Sequence, residues 1–207
     1  MQLLEDAKKL QLAVALKIFS HRVRTILGRL YANNGKVPNF SRQSGVMVEN
    51  IKRRMKIVFV CTGNTCRSPM AQIVFKKLLA EKIGCPINEL ENKGYEILSG
   101  GLAASDGMTA SANATLVVQK LGVSLEDHQS RYVNLDLLQH ADAVLVMTKN
   151  HLDTIKNRFH DQKLPVQLLS FSGADISDPF GGDEITYSRC LAEIQENLQH
   201  LVFKLLS

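Results

Sequence analysis

Residues 55 to 207 alternate between short, continuous apolar runs and longer stretches in which apolar positions recur with helical spacing. The short runs are rich in β-branched and aliphatic residues, which is typical of strands that are buried on both faces. They predict four strands, over residues 57–60, 95–100, 141–148 and 166–169.

The longer stretches predict helices between these strands. The first follows residue 67, with Ser68 as its expected cap, Pro69 at its first position and Gly84 as its stop. Because parallel strands need crossover connections, the alternation predicts an α/β fold with a doubly wound, four-stranded parallel sheet flanked by helices. The remaining predicted helices cover residues 109–121, 135–140, 150–159 and 187–206.

The first 54 residues follow a different pattern. Apolar residues recur at helical spacing over residues 3–31 with lysines and arginines among them, and residues 32–45 then collect turn formers. We therefore expect a basic amphipathic helical extension and linker over residues 1–54, followed by one domain over residues 55–207.

The charge distribution bears on the role of this extension. Residues 1–55 carry a net charge of +8, whereas residues 56–207 carry −3, so the basic balance belongs to the extension and a nucleic-acid-binding function is not supported. Such a helix suits a membrane surface or a partner protein. We favour a helix that packs on the domain, or a true start of the protein at Met47 or Met55.

Composition excludes several other classes. With 45% hydrophobic and 22% charged residues among 207, the chain can bury one good core. No apolar run approaches the roughly 20 residues that span a bilayer. The four cysteines are too sparse for a disulfide scaffold, and no paired CxxC motif or histidine cluster predicts a metal site. We expect a cytoplasmic protein.

The loop "CTGNTCRS", residues 61–68, lies between the first predicted strand and helix. Such a loop points backbone N–H groups and the positive end of the helix dipole at one place, where they can hold a phosphate-like anion. Gly63 allows close backbone approach, and the planar guanidinium of Arg67 can bind two phosphoryl oxygens at once. Cys61 shares this positive field, which favours a nucleophilic thiolate.

Further residues could complete a phosphoryl-transfer site. Ser68 can hydrogen-bond the thiolate, and Asn64 can brace the loop through its side chain. A leaving group needs a general acid, and Asp178 in "SDPFGGD" is the best candidate. Asp before Pro is also a common turn former, and the local sequence does not separate these two roles. Cys85 and Cys190 are expected to be buried apolar residues.

The loop, the late "DP" and the order of elements between them resemble a low-molecular-weight protein-tyrosine phosphatase, over about Met55 to Ser207. Gln72 departs from the glutamate usual in that family, and "DHQSR", residues 127–131, resembles a structural motif of it. The resemblance implies Cys61 as nucleophile, Arg67 as phosphate clamp, Asp178 as general acid and then base, and Asn64, Ser68 and Ser99 as loop supports.

Two positions resemble the bacterial protein arginine phosphatases within this family. Thr65 stands where tyrosine-specific members usually carry an aliphatic residue, and Phe180 is followed by two glycines. A smaller, polar wall suits a planar guanidinium better than it suits a phenol. This branch implies phosphorylated proteins as partners, with substrate contacts from Thr62, Gly63, Asn64, Thr65, Cys66, Ser68 and Phe180.

The expected reaction is a two-step displacement through a cysteinyl-phosphate, which needs no metal and no organic cofactor. Two roles remain open for Cys66, a reversible disulfide with Cys61 or a thiol that packs the loop. A tyrosine phosphatase is the main alternative, and a non-catalytic phosphoprotein-binding module would use the same loop. An arsenate reductase would need two further redox cysteines, and residues 102–189 contain none.

Overall fold

The computed structural model describes residues 54–206. Except for Arg54, the predicted N-terminal extension lies outside the described residues, and its amphipathic helix stays a prediction. Within the described part of the chain, no helix is both long enough and apolar enough to cross a membrane.

The described residues form the predicted sheet of four parallel strands, in the order β2-β1-β3-β4. β1 occupies an inner position and pairs with both β2 and β3, so its carboxyl end lies where the strand order reverses. Ligands bind at this position in open parallel sheets. The strands are β1 (Met55–Cys61), β2 (Tyr95–Gly101), β3 (Ala143–Val146) and β4 (Val166–Leu168).

Within residues 54–206, five α-helices and one 3₁₀ turn, Ile87–Glu89, connect and flank the strands. Each predicted helix is present with shifted ends, and the 3₁₀ turn was not predicted. The helices are α1 (Arg67–Ile83), α2 (Ala112–Gln119), α3 (Leu135–Leu138), α4 (Lys149–Arg158) and α5 (Glu184–Leu205).

The prediction for the start of α1 was wrong. Cys66 occupies the N-cap position without a side-chain cap, and Arg67 is the first helical residue. Ser68 therefore does not cap the helix, because its hydroxyl is used in the candidate site. Pro69 is the third helical residue, which is tolerated because the first four N–H groups of a helix have no partner within it. The predicted stop at Gly84 is confirmed, with a left-handed φ of 70°.

The core covers both faces of β1, as the continuous apolar run predicts. Val58 and Val60 lie in one cluster with Val144, Val146 and residues of α3 and α4. Phe59 lies in contact with Phe75 of α1, with ring centroids 5.5 Å apart in an edge-to-face arrangement. This packing anchors the strand that carries Cys61 at its end.

Candidate active site

Cys61 is the last residue of β1, and its sulfur is enclosed by the loop that follows. Its Sγ lies 3.0 Å from Ser68 Oγ and accepts a hydrogen bond from the Asn64 N–H at 3.3 Å. Donors directed at the sulfur stabilise negative charge on it. The loop can therefore support a thiolate nucleophile.

Asn64 braces the loop through its side chain. The residue has a left-handed φ of 56°, a conformation that asparagine tolerates better than most residues. It is fully buried, so its amide must find partners inside the protein. Its Nδ2 donates to Ser68 Oγ at 2.8 Å and to Ser99 Oγ at 3.0 Å, and its Oδ1 accepts from the Arg131 N–H at 2.9 Å.

Ser99 passes the network on to Gln72, the residue that departs from the family pattern. Ser99 Oγ donates to Gln72 Oε1 at 2.6 Å, and Gln72 Nε2 donates to the carbonyl of Ile97 at 2.9 Å. An ionised glutamate could accept from Ser99 but could not donate to Ile97. The amide therefore ties the network to the backbone of β2.

The hydroxyl of Ser68 has one hydrogen and two acceptors for it. It lies within hydrogen-bonding distance of Cys61 Sγ and donates to the carbonyl of Gly100 at 3.2 Å. A neutral thiol can donate to Ser68, which then donates to Gly100. A thiolate needs a donor, so ionisation of Cys61 turns the hydroxyl hydrogen toward sulfur.

The segment "DHQSR" supports the loop from the other side. His128 Nε2 lies 2.7 Å from the carbonyl oxygen of Asn64, and burial lowers the pKa of His128. A neutral ring can donate this hydrogen bond from Nε2. Ser130 Oγ accepts from the Met108 N–H at 3.0 Å, which holds the neighbouring loop in place.

The structure places Arg67 and Asp178 in direct contact, although they are 111 residues apart in the sequence. Arg67 is 4% exposed, and its Nη2 lies 2.5 Å from Asp178 Oδ2. Its Nη1 donates to the carbonyl of Ile176 at 3.4 Å. The Asp178 side chain is half exposed, so the carboxylate can reach both the guanidinium and solvent.

Helix α5 holds the loop that carries Asp178. The Ser177 N–H and hydroxyl donate to the two carboxylate oxygens of Glu193 at 3.0 and 2.8 Å. Cys190 Sγ donates to the carbonyl of Ser177 at 3.3 Å, and burial raises the pKa of this thiol to about 12. Ser177, the residue before Asp178, is therefore held by α5 at its N–H, its hydroxyl and its carbonyl, which fixes the backbone leading into Asp178. Phe180 in the same loop is 81% exposed.

Cys66 packs into a small polar cluster at the outer side of the loop. Its Sγ lies 3.1 Å from Tyr187 Oη and 3.5 Å from Ser111 Oγ, and Ser111 Oγ donates to Tyr187 Oη at 3.1 Å. Burial and the contact with Cys66 raise the pKa of Tyr187 to about 12. All four cysteines are free thiols. The disulfide proposed for Cys66 stays a prediction.

Gly101 makes room for the loop. A Cβ on this residue would lie 2.6 Å from the carbonyl oxygen of Thr62 and 2.8 Å from the Asn64 nitrogen. Both atoms belong to the loop backbone and cannot rotate away. The absence of a side chain at the end of β2 is therefore a requirement of the loop path.

His151 is a residue that sequence reasoning missed. It lies in the first turn of α4, is 5% exposed, and places Nε2 at 2.9 Å from Thr62 Oγ1. Burial, and secondarily the nearby charge of Arg67, lower the pKa of His151 to about 4, so the ring is neutral at pH 7. Within residues 54–206, no group of three or more histidine, cysteine or acidic side chains is arranged to hold a metal ion.

A family model described as low molecular weight phosphotyrosine protein phosphatase matches residues 56–207. The chain belongs to this family. The resemblance inferred from the loop sequence is thus confirmed, and the match begins at the second residue of β1.

Both protein-arginine-phosphatases and protein-tyrosine-phosphatases are among the relatives that are similar to this chain. The protein-arginine-phosphatases of Geobacillus stearothermophilus and Bacillus subtilis are 36% and 35% identical to it, covering 72% and 73% of this chain and 95% and 97% of the relatives. The low molecular weight protein-tyrosine-phosphatase PtpB of Staphylococcus haemolyticus is 33% identical, covering 73% of this chain and 97% of the relative.

Solved structures give the same fold. A crystal structure of a YwlE mutant from Bacillus subtilis aligns with a TM-score of 0.65 at 33% identity, covering 74% of this chain and 99% of the other. The YwlE arginine phosphatase from Geobacillus stearothermophilus aligns with a TM-score of 0.63 at 35% identity, covering 73% and 93%. The four-stranded parallel sheet with flanking helices is the family fold.

Proposed function

We propose that this chain is a protein phosphatase that hydrolyses phosphoarginine residues through a cysteinyl-phosphate intermediate. The phosphatase activity is supported by the meeting of Cys61, Arg67 and Asp178 around one anion-binding loop. The single observation that carries the choice of phosphoarginine is Thr65, a polar residue at a loop position where an aliphatic side chain would suit a phenol. Similarity to two protein-arginine-phosphatases supports the same choice.

In the first step the Cys61 thiolate attacks phosphorus in line with the leaving nitrogen. The loop N–H groups and Arg67 hold the equatorial oxygens, where charge builds up in the transition state. The phosphorus–nitrogen bond breaks as the sulfur–phosphorus bond forms, and the Asp178 carboxylic acid donates its proton to the departing guanidine nitrogen. The products are free arginine side chain and phosphorylated Cys61.

In the second step the Asp178 carboxylate accepts a proton from water, and the resulting hydroxide equivalent attacks the phosphocysteine. The sulfur–phosphorus bond breaks, phosphate leaves, and the Cys61 thiolate is restored. Asp178 ends the cycle protonated, as it began it. Water thus supplies the proton on Asp178 and the hydroxyl of the released phosphate, and no atom changes its oxidation state.

The ion pair between Arg67 and Asp178 must open before Asp178 can act as an acid, because a carboxylate paired with a guanidinium carries no proton. Arg67 Nη2 lies 2.5 Å from Asp178 Oδ2. An incoming phosphoryl group offers oxygens that Arg67 can bind in pairs, so it replaces Asp178 as the partner of the guanidinium. Asp178 is then free to take up a proton from solvent and to turn toward the leaving nitrogen, which lies on the opposite side of phosphorus from Cys61.

The domain organisation and location are also proposals. The family match starts at residue 56, which supports residues 1–54 as a separate extension and residues 55–207 as the phosphatase domain. The four free thiols suit the reducing cytoplasm. The named relatives come from bacteria, and we infer a bacterial cytoplasmic enzyme.

The test is initial rates of phosphate release from matched phosphoarginine and phosphotyrosine peptides. We expect the parent enzyme to prefer phosphoarginine. Thr65→Ile should shift the preference toward phosphotyrosine, because isoleucine replaces the hydroxyl at this loop position with a larger aliphatic side chain. Cys61→Ser is the blank, and p-nitrophenyl phosphate shows that the parent and Thr65→Ile both have a working site.

A tyrosine phosphatase remains the second candidate, supported by the family description and by the similarity to PtpB. A parent enzyme that prefers phosphotyrosine would establish that activity and reject the arginine assignment. A parent that binds both peptides but releases phosphate from neither would favour a phosphoprotein-binding module.

A further inference from the structure

His151 and Thr62 form a polar pair across the rim of the phosphate-binding loop. Thr62 directly follows the nucleophile and is exposed, whereas His151 is buried at the start of α4. Their side chains meet at 2.9 Å. The His151 N–H donates to Thr148 Oγ1 at 3.2 Å, so the histidine backbone is fixed by the cap of its own helix.

The other ring nitrogen of His151 is buried and has no hydrogen-bond partner among the described residues. A buried N–H without a partner is rare in proteins, and an unused acceptor is tolerated somewhat better. The ring hydrogen therefore belongs on Nε2, where it is donated to Thr62 Oγ1. Nδ1 remains as a bare acceptor.

This tautomer fixes what the Thr62 hydroxyl has left to offer. A hydroxyl oxygen accepts two hydrogen bonds and donates one. His151 uses one acceptor position, and the second acceptor position and the hydroxyl hydrogen remain available on an exposed side chain. A buried histidine with an unused nitrogen costs stability that an aliphatic residue would not, and such local costs concentrate at functional sites.

We propose that Thr62 is a second specificity-determining residue of the site and that His151 is the positioning residue that sets its orientation. The inference rests on the proposed arginine phosphatase function. The free acceptor of Thr62 Oγ1 receives an N–H of the substrate guanidinium, while its hydrogen is donated to a phosphoryl oxygen. A phenyl ring offers no N–H at this place, so the pair favours phosphoarginine over phosphotyrosine.

The experiment measures kcat/KM for a phosphoarginine peptide and for p-nitrophenyl phosphate in the same set of enzymes. Thr62→Val removes the hydroxyl at nearly constant volume. We expect the ratio of kcat/KM for phosphoarginine to kcat/KM for p-nitrophenyl phosphate to fall roughly tenfold. His151→Leu should lower the ratio similarly, because the threonine side chain is no longer held. His151→Gln should restore it, since the glutamine amide nitrogen can replace Nε2 as a donor.

The double variant Thr62→Val with His151→Leu should lose no more than Thr62→Val alone, because the histidine acts through the threonine. Thr154→Val is the matched control, since its hydroxyl bonds to the carbonyl of Asn150 on the same helix and lies outside the site. It should leave the ratio unchanged.

Unchanged ratios in Thr62→Val and His151→Leu, with a parent that prefers phosphoarginine, would overturn the inference and leave the proposed function intact. Thr62→Val decides the question even when His151→Leu does not fold. A parent that hydrolyses p-nitrophenyl phosphate but not phosphoarginine would overturn the proposed function and this inference together.

Discussion

Replacing Gly101 by alanine should separate loop geometry from fold stability. The new Cβ would lie 2.6 Å from the Thr62 carbonyl oxygen and 2.8 Å from the Asn64 nitrogen. Ordinary contact begins near 3.4 Å, so the loop backbone must move by about 0.8 Å. A displacement of about 1 Å in catalytic geometry can cost on the order of 100-fold in rate.

Gly100 provides a matched control one residue earlier. A Cβ there would lie 2.6 Å from Leu137 Cδ2 and 2.9 Å from Val133 Cγ2, which are side-chain atoms in the core. Both substitutions should lower the free energy of unfolding by about 1–3 kcal/mol through overpacking. The cost is smaller where the contacted side chains can rotate away. Only Gly101→Ala should push against the loop that holds the phosphoryl group.

The assay is kcat/KM on p-nitrophenyl phosphate, corrected for the folded fraction measured by thermal unfolding. We expect a loss of on the order of 100-fold for Gly101→Ala and less than a few-fold for Gly100→Ala. Parent-like activity in folded Gly101→Ala would refute the argument that this glycine sets the loop path. Equal losses in both variants would show that general overpacking explains the effect.

Three further substitutions test other contacts of the site. Glu193→Ala removes both hydrogen-bond acceptors of Ser177 and so loosens the loop that carries Asp178. We expect kcat to fall about tenfold for phosphoarginine and less for p-nitrophenyl phosphate, whose leaving group needs little protonation. Equal losses on the two substrates would contradict this role of Glu193. Tyr187→Phe removes the hydroxyl from Cys66 and should lower Tm by about 2–4 °C, and an unchanged Tm would show that the contact contributes nothing. His151 has a pKa of about 4 in the folded protein, below its ordinary value of 6.5, so the folded state binds fewer protons and loses stability as pH falls through this window. Urea titrations at pH 7 and pH 5 measure this loss. Between these pH values the free energy of unfolding should fall by about 2 kcal/mol more in the parent than in His151→Gln. The same fall in both proteins would reject a buried, neutral ring.

The strands could be predicted closely because their signal is local. Each continuous apolar run lies over an observed strand, and β4 at Val166–Leu168 differs from its prediction by one residue. Helix starts were harder, because they depend on which polar side chain caps the chain. The last helix begins at Glu184 rather than near residue 187, since Asp183 accepts from the Thr186 N–H.

The loop residues of the site were predictable because the motif is contiguous and its chemistry explicit. Residues that act on the loop from elsewhere gave no local signal. His151 contacts a residue 89 positions away, and Tyr187 contacts one 121 positions away. Folding brings these side chains together, and a lone histidine or tyrosine on a helix is indistinguishable from an ordinary core residue.

In the proposed reaction a phosphoryl group passes from arginine to Cys61. The most direct measurement is mass spectrometry of the enzyme after rapid mixing with an arginine-phosphorylated protein and acid-free quenching, followed by peptide mapping. We expect phosphorylation of Cys61 that appears before free phosphate and is absent in Cys61→Ala. Phosphate release without label on Cys61, or label that appears only with a tyrosine-phosphorylated protein, would contradict it.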